Sequence, residues 1–226
     1  MKETTVVNFN NMDVGCYMAT PLETHFMQSL SILFPAGESY FSRSCITCAS
    51  GHGWLFQLAK EFAKQEFYHS RYHERLNNAT KYEDDILNRI DKHLDKTLKK
   101  LFQVLPKEVN LSATVILEEV TARLGRMLLT DKELNMRFTD SDVHELWLAH
   151  ATDEVAHKYV AETIQSEIFG VRGRVLNFVL RPLVKTILVL VVAKVLLLLN
   201  TKSNDVNEIG DYIPFTKMVV KFLKSC

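Results

Sequence analysis

Apolar residues recur along this chain at the three-and-four spacing of helices, and no Val/Ile/Thr-rich alternating stretch suggests a strand. Thr20-Pro21-Leu22-Glu23 is a capping box with proline at the first helical position. The helix it opens carries Phe26, Leu30, Leu33, Phe34, Glu38, Phe41 and Cys45 on one stripe, with a kink expected at Pro35 and Gly37 and a stop at Gly51-His52-Gly53. A second helix is predicted over 54–77, with Phe62, Glu66, His69, His73 and Leu76 on one face and Lys64, Arg71 and Arg75 on another. A charged stretch, 82–102, reads as a connecting helix ended by Pro106. In a third helix, over 112–129, Glu118 shares its face with Val115, Ala122, Gly125 and Leu129, while Glu119 lines up with Arg123 and Arg126 as an exposed ion-pair pattern. Thr139-Asp140-Ser141-Asp142 caps a fourth, whose stripe is Trp147, His150, Glu154, His157, Ala161 and Ile164. An apolar run over 174–200, which Pro182 is expected to break or kink, and a basic amphipathic helix over 212–223 close the chain. The pattern predicts an all-α protein.

Composition adds little until charge is divided along the chain. At 226 residues, with 47% hydrophobic and 24% charged, the chain suits one sizeable domain with an appendage. Net charge is zero, yet residues 171–226 hold nine Lys/Arg against three Asp/Glu, leaving residues 1–170 acidic by the same margin. The expected division is therefore a bundle over 1–170 and a hydrophobic, basic extension over 171–226. Within that extension Leu183–Leu199 spans 17 residues, the short limit for crossing a bilayer. Packing on the bundle or on a second copy, lying in a membrane interface, and spanning are its three open destinations. The first twenty residues lack the long apolar run of a secretory leader, and Cys16, Cys45, Cys48 and Cys226 are not spaced as a disulfide framework. A cytoplasmic, membrane-associated location is the expectation, with no nucleic-acid partner.

The chemistry concentrates in two Glu-x-x-His motifs, Glu66-Phe67-Tyr68-His69 and Glu154-Val155-Ala156-His157, each preceded by one inward glutamate, Glu38 and Glu118. A residue and its third successor share a helix face, so each motif presents an oxygen and a nitrogen to one centre. That order is the ligand order of a dinuclear site in a ferritin-like four-helix bundle. Four carboxylates balance two divalent ions, which makes the set tolerable in a core. The expected ligands are Glu38, Glu66, His69, Glu118, Glu154 and His157, with Glu66 and Glu154 bridging. His73 and His150 lie one turn from a ligand and offer either a further ligand or a hydrogen-bonded neighbour. Asp153, four residues before His157, is placed to orient that imidazole or to face solvent. Cys45-Ile46-Thr47-Cys48 has redox spacing but lies on a helix, and reads as a small apolar pair. Phe34, Phe41, Trp54, Phe62 and Trp147 read as core aromatics; His25, His52, His93 and His144 as surface or turn residues.

The blocks around these residues resemble a known family. Phe34-Pro35-Ala36-Gly37-Glu38-Ser39-Tyr40-Phe41, Phe62 to His69 continuing through Arg71 and His73, Leu117-Glu118 with Thr121-Ala122, and Trp147 with His150 and Asp153 to Lys158 are similar, in order, to the blocks of the predicted metal-dependent hydrolases, a ferritin-like group of di-iron proteins. The chain departs from that pattern at Glu119, Ala149, Asp153 and Ala156, none of them an expected ligand. The resemblance implies the same bundle and a metal cofactor.

Carboxylates and imidazoles suit iron, with manganese or zinc as other candidates, better than a thiolate-rich zinc site. The favoured expectation is a di-iron oxidase or oxygenase using O2 on a small, lipophilic substrate. A metal-dependent hydrolase stands second; ferroxidase or storage activity and a non-enzymatic membrane scaffold follow. The apolar extension also makes a homo-oligomer or a membrane surface a candidate partner.

Overall fold

A computed structural model describes residues 14–80, 82–203 and 209–226, so most of the segment on which the N-terminal reading rests lies outside it. Among the described residues the regular structure is helical, apart from two isolated bridges, Val14 with Thr80 and Met18 with Phe138. The elements are α1 (Pro21–Ser31), α2 (Phe34–Ala49), α3 (Gly53–Ala79), α4 (Ile86–Val104), α5 (Lys107–Thr130), α6 (Lys132–Asn135), α7 (Ser141–Thr201) and α8 (Tyr212–Ser225).

The two predicted capping boxes hold, whereas the connecting helix starts at Ile86 rather than 82 and the next at Lys107 rather than 112. Thr20 Oγ1 accepts from the Glu23 amide at 3.3 Å and donates to the Glu23 carboxylate at 3.0 Å. Arg137 then grips that buried carboxylate with two bonds of 2.9 and 2.7 Å, tying the start of α1 to the approach to α7. Asp140 caps α7 by accepting from the amides of Asp142 and Val143, both at 2.9 Å, a contribution of about 1 kcal/mol.

Several expectations are corrected. The first helix does not kink at Pro35; it ends at Ser31, and α2 begins at Phe34. Pro35 has no N–H to return to the Ser31 carbonyl and its ring would crowd it, so the break falls upstream of the proline. Pro182 does not break its helix either. The reversal sits at Gly170, with φ 51° and ψ −128°, a conformation that a side chain would strain. Gln165 and Asn177 prove the reversal: their amides exchange two bonds of 2.9 and 2.6 Å, although twelve residues of straight helix would separate them by about 18 Å. The second arm of α7, 171–201, thus runs back along the first, 141–169. Finally, the α5 stripe passes through Leu128 rather than Leu129, which is exposed.

Packing follows the predicted stripes. Phe62, Glu66, His69, His73 and Leu76 are buried on α3, and Trp147, His150, Glu154, His157, Ala161 and Ile164 on α7. One apolar cluster gathers Met18, Phe26, Leu128, Leu146 and Trp147, with Met218 and Phe222 of α8 closing over it. Another gathers Phe41, Cys45, Phe62, Leu111, Val115 and Ile164. Gly125 of α5 lets α7 approach closely: a Cβ there would stand 2.8 Å from the Ala151 carbonyl oxygen. Glu119 is not part of an exposed pair. It is half-buried and clamped between Arg123 and Arg181, and so holds the second arm of α7 to α5. Trp54, expected in the core, is 60% exposed, and His25, expected at the surface, is buried with Nδ1 2.7 Å from the Tyr82 hydroxyl.

Candidate metal centre

Four helices converge on one buried cluster. Helix α2 brings Glu38, α3 brings Glu66 and His69, α5 brings Glu118, and the first arm of α7 brings His150, Glu154 and His157; all seven are buried. Glu154 lies at the middle: its Oε1 stands 3.0 Å from His150 Nε2, 3.4 Å from His157 Nδ1 and 3.6 Å from His69 Nδ1. His157 Nδ1 also lies 2.5 Å from Glu66 Oε1, and His150 Nε2 lies 3.4 Å from Glu38 Oε1.

The atoms form two overlapping groups that could each hold an ion. Glu38, His69, His150 and Glu154 have ligand atoms within 4.8 Å of one another, and so do Glu66, His69, Glu154 and His157. His69 and Glu154 belong to both groups, whereas Glu66, expected to bridge, belongs to one. Glu118 belongs to neither, but both of its oxygens are buried without a hydrogen-bond partner. Burial, and then the charges of Glu154, Glu66 and Glu38, hold its carboxyl well above the usual carboxylate range, so it faces the same interior.

Each imidazole in these groups turns one nitrogen inward and has the other held from outside. His69 Nε2 donates to Asp153 Oδ2 at 3.1 Å, and His157 Nε2 to Gln65 Oε1 at 2.7 Å. For His150 the holding group is a chain of bonds. Ser31 Oγ donates to Asn77 Oδ1 at 2.7 Å, so its oxygen accepts from His73 Nδ1 at 2.9 Å. His73 is thereby left with a bare Nε2, which accepts from His150 Nδ1 at 2.7 Å. Burial and the neighbouring His150 push His73 well below its ordinary value, consistent with a neutral ring. His150 Nε2 therefore presents a lone pair toward the oxygens of Glu154 and Glu38, an arrangement that a cation satisfies. Metal-ligating histidines are oriented in this way by groups behind them.

The remaining electrostatics agree. Burial and then neighbouring carboxylates raise Glu38, while Ser70 Oγ steadies its Oε2 with a 2.8 Å bond. Burial also raises Glu66, against the pull of His157. Although burial opposes it, the surrounding imidazoles hold Glu154 well below its usual range, His157 and His69 through protonated rings that face it. His157 is lifted to about 9, with burial opposing and the Glu154 and Glu66 carboxylates prevailing. Glu38 Oε1, both Glu66 oxygens, both Glu118 oxygens, His69 Nδ1 and His157 Nδ1 have no aligned hydrogen-bond partner. Leaving so many buried polar atoms unmatched would cost several kcal/mol. Hard oxygens, imidazoles and absent thiolates fit divalent iron, manganese or zinc.

Every ligand predicted from the sequence reaches this interior. His73 is a holder of His150 rather than a member of either group, His150 is a member, and Asp153 binds His69 on α3 rather than His157 on its own helix. The holders Ser31, Asn77, Gln65 and Ser70 were not predicted. Gln65 adjoins Glu66, but Ser31 and Asn77 carry no signal along the chain. Cys45 and Cys48 are free, buried thiols, as a small apolar pair should be.

The family model for predicted metal-dependent hydrolases matches residues 5–224, and the chain belongs to that family. Neither the curated proteins nor the solved structures gave a match.

Proposed function

We propose that this protein is a metal-dependent hydrolase built on a ferritin-like four-helix bundle of α2, α3, α5 and the first arm of α7. The observation that carries the reading is the buried cluster in which Glu154 is shared by three imidazoles, each held from behind. Glu38, Glu66, His69, Glu118, Glu154 and His157 would hold two ions, with His150 as a further ligand. Ions bound there would supply Lewis acidity and acidify a water near neutral pH. The protein's own part is orientation and proton handling. Gln65 and the Ser31–His73 chain fix which imidazole nitrogen faces inward. Asp153, half exposed, connects the Nε2 proton of His69 with bulk water.

The site opens on one side to a cavity of about 50 Å³ lined by Met27, Leu30, Met127, Leu128 and Met218, with His150 and Glu154 at one end. Its walls are almost wholly apolar, so the substrate is expected to carry an apolar portion. That volume is small, so a longer chain must displace the methionines, the most adaptable of core side chains.

The donor set favours a second reading, oxygen chemistry at two irons, because a lone carboxylate from each of two helices plus Glu-x-x-His from each of two others is the di-iron pattern. One experiment separates them. Protein reconstituted with zinc, and separately with iron, is assayed on acyl esters of increasing chain length, without oxygen for hydrolysis and in air for oxygen uptake. Hydrolysis with redox-inert zinc, lost on chelation and in Glu154→Gln, supports the hydrolase. Oxygen uptake with iron alone, and no zinc-dependent hydrolysis, would replace it with the oxidase.

A further inference from the structure

The second arm of α7 has two unlike faces. Its inner face is committed: Gly173, Asn177, Val192, Val195 and Leu199 are buried, Asn177 pairs with Gln165, and Arg181 is bound to Glu119. Its outer face presents Val175, Phe178, Val179, Leu183, Ile187 and Leu190, all more than half exposed and Phe178 80% exposed. From 175 to 193 the only charged residues are Arg181 and Lys185, one turn apart on the flank that meets α5. The outward surface over those positions is thus free of charge for about 28 Å of helix. The mean hydropathy of the best 18-residue window in α7 is 2.4, and only 17% of that window is buried. A continuous apolar strip of this size is seldom left bare.

Charge identifies what covers it. The strip is bounded by Arg174 and by Arg172, which pairs with Glu108 at 2.7 Å, at one end and by Lys194 at the other, all exposed, within a segment of nine basic and three acidic residues. A two-fold pairing with a second copy would set these ends against like charge. Antiparallel arms bring Arg174 toward the other copy's Lys194, and parallel arms bring each cation toward its own counterpart. An anionic lipid surface complements both ends and receives the apolar strip between them. Spanning is disfavoured by the inner face, because the arm is fastened along its length to the water-soluble helices beside it, by Asn177 to Gln165, by Arg181 to Glu119, and by Val192, Val195 and Leu199 in the apolar clusters. We propose that residues 175–193 dock the protein on an anionic membrane surface, in the plane of the interface, with Phe178, Leu183 and Leu190 at the acyl boundary and Arg174 and Lys194 among the headgroups.

The full-length protein is sedimented with phosphatidylcholine vesicles, with and without phosphatidylglycerol, and its mass in solution is measured by light scattering. Binding is expected at least about tenfold tighter with phosphatidylglycerol, falling as salt rises. Phe178→Glu/Leu190→Glu should abolish it, and Arg174→Glu/Lys194→Glu should remove the preference for anionic lipid. Both variants change exposed positions and should keep the metal content and helicity of the parent. Absence of binding to either vesicle overturns the proposal, as does unchanged binding of the first variant. A parent dimer that Phe178→Glu/Leu190→Glu converts to a monomer would assign the strip to a second copy instead.

Discussion

His150 lies one turn before Glu154 on α7, and spacing alone allows it to be a ligand or a bystander. The hydroxyl of Ser31, on a helix over a hundred residues away, favours the first by starting the bond sequence that leaves His150 Nε2 bare. Ser31→Ala should therefore weaken metal binding by about 10- to 100-fold without touching a ligand. Competition titration with a metal chelator measures the affinity. Imidazole ¹⁵N shifts should show His150 changing from one tautomer to a mixture, a signature that simple loosening of the core would not give. The clustering of the carboxylates and imidazoles was legible because an oxygen and a nitrogen three residues apart on a helix must face one way. Their holders were not, since a bond across helices leaves no periodic trace. Asp153 shows the difference: along its own helix the reachable imidazole is His157, yet the chain brings it to His69 on α3.

Helices α5 and α7 carry Glu118 and Glu154, and the gap between them is set by a residue with no side chain. Gly125 stands seven residues beyond Glu118, and Ala151 three before Glu154. Gly125→Ala would force a methyl to within 2.8 Å of the Ala151 carbonyl oxygen. Backbone cannot yield as a flexible side chain can, so the helices must part, at a cost of about 1–3 kcal/mol typical of overpacking. Chemical unfolding should show the loss, and metal affinity should fall with it because Glu118 is carried away from Glu154. If stability falls while affinity does not, Glu118 is not a ligand. Helix starts at Thr20 and Asp140 were legible because capping is local chemistry. The helix end at Ser31 and the reversal at Gly170 were not assigned correctly. A proline marks a disturbance but not which side of it breaks, and Pro182 loses only one backbone bond in a helix pinned along its length by Arg181, Val192 and Leu199. Gly170 is permissive everywhere and becomes a turn only because Gln165 and Asn177 close on each other.

At the scale of the whole molecule the cluster is a store of protons that a metal would replace. In the metal-free protein burial, and then neighbouring carboxylates, hold Glu38 and Glu118 above the usual range. His157 is lifted to about 9 and His69 well above its ordinary value, in each case against burial and through the carboxylates beside them. For a histidine raised in this way the folded chain binds more protons than the unfolded one. Its stabilising contribution is complete below the unfolded value of 6.5 and is lost as pH rises through about 9. Glu154 and Asp153, held low, act in the opposite sense, but theirs is lost only in acid and is constant across this window. His73 and His150, also held low, are already neutral. The metal-free protein should therefore lose thermal stability between pH 7 and pH 10, and His157→Gln should flatten that slope. A bound metal needs the same atoms deprotonated, so its affinity must rise with pH. The gap in Tm between metal-loaded and metal-free protein should widen over the window in which the metal-free protein weakens. Melting curves at pH 6, 7.5 and 9, with and without metal, test this directly. A gap that stays constant would mean that the imidazoles keep their protons when the ion binds, which a ligand role for His69 and His157 forbids.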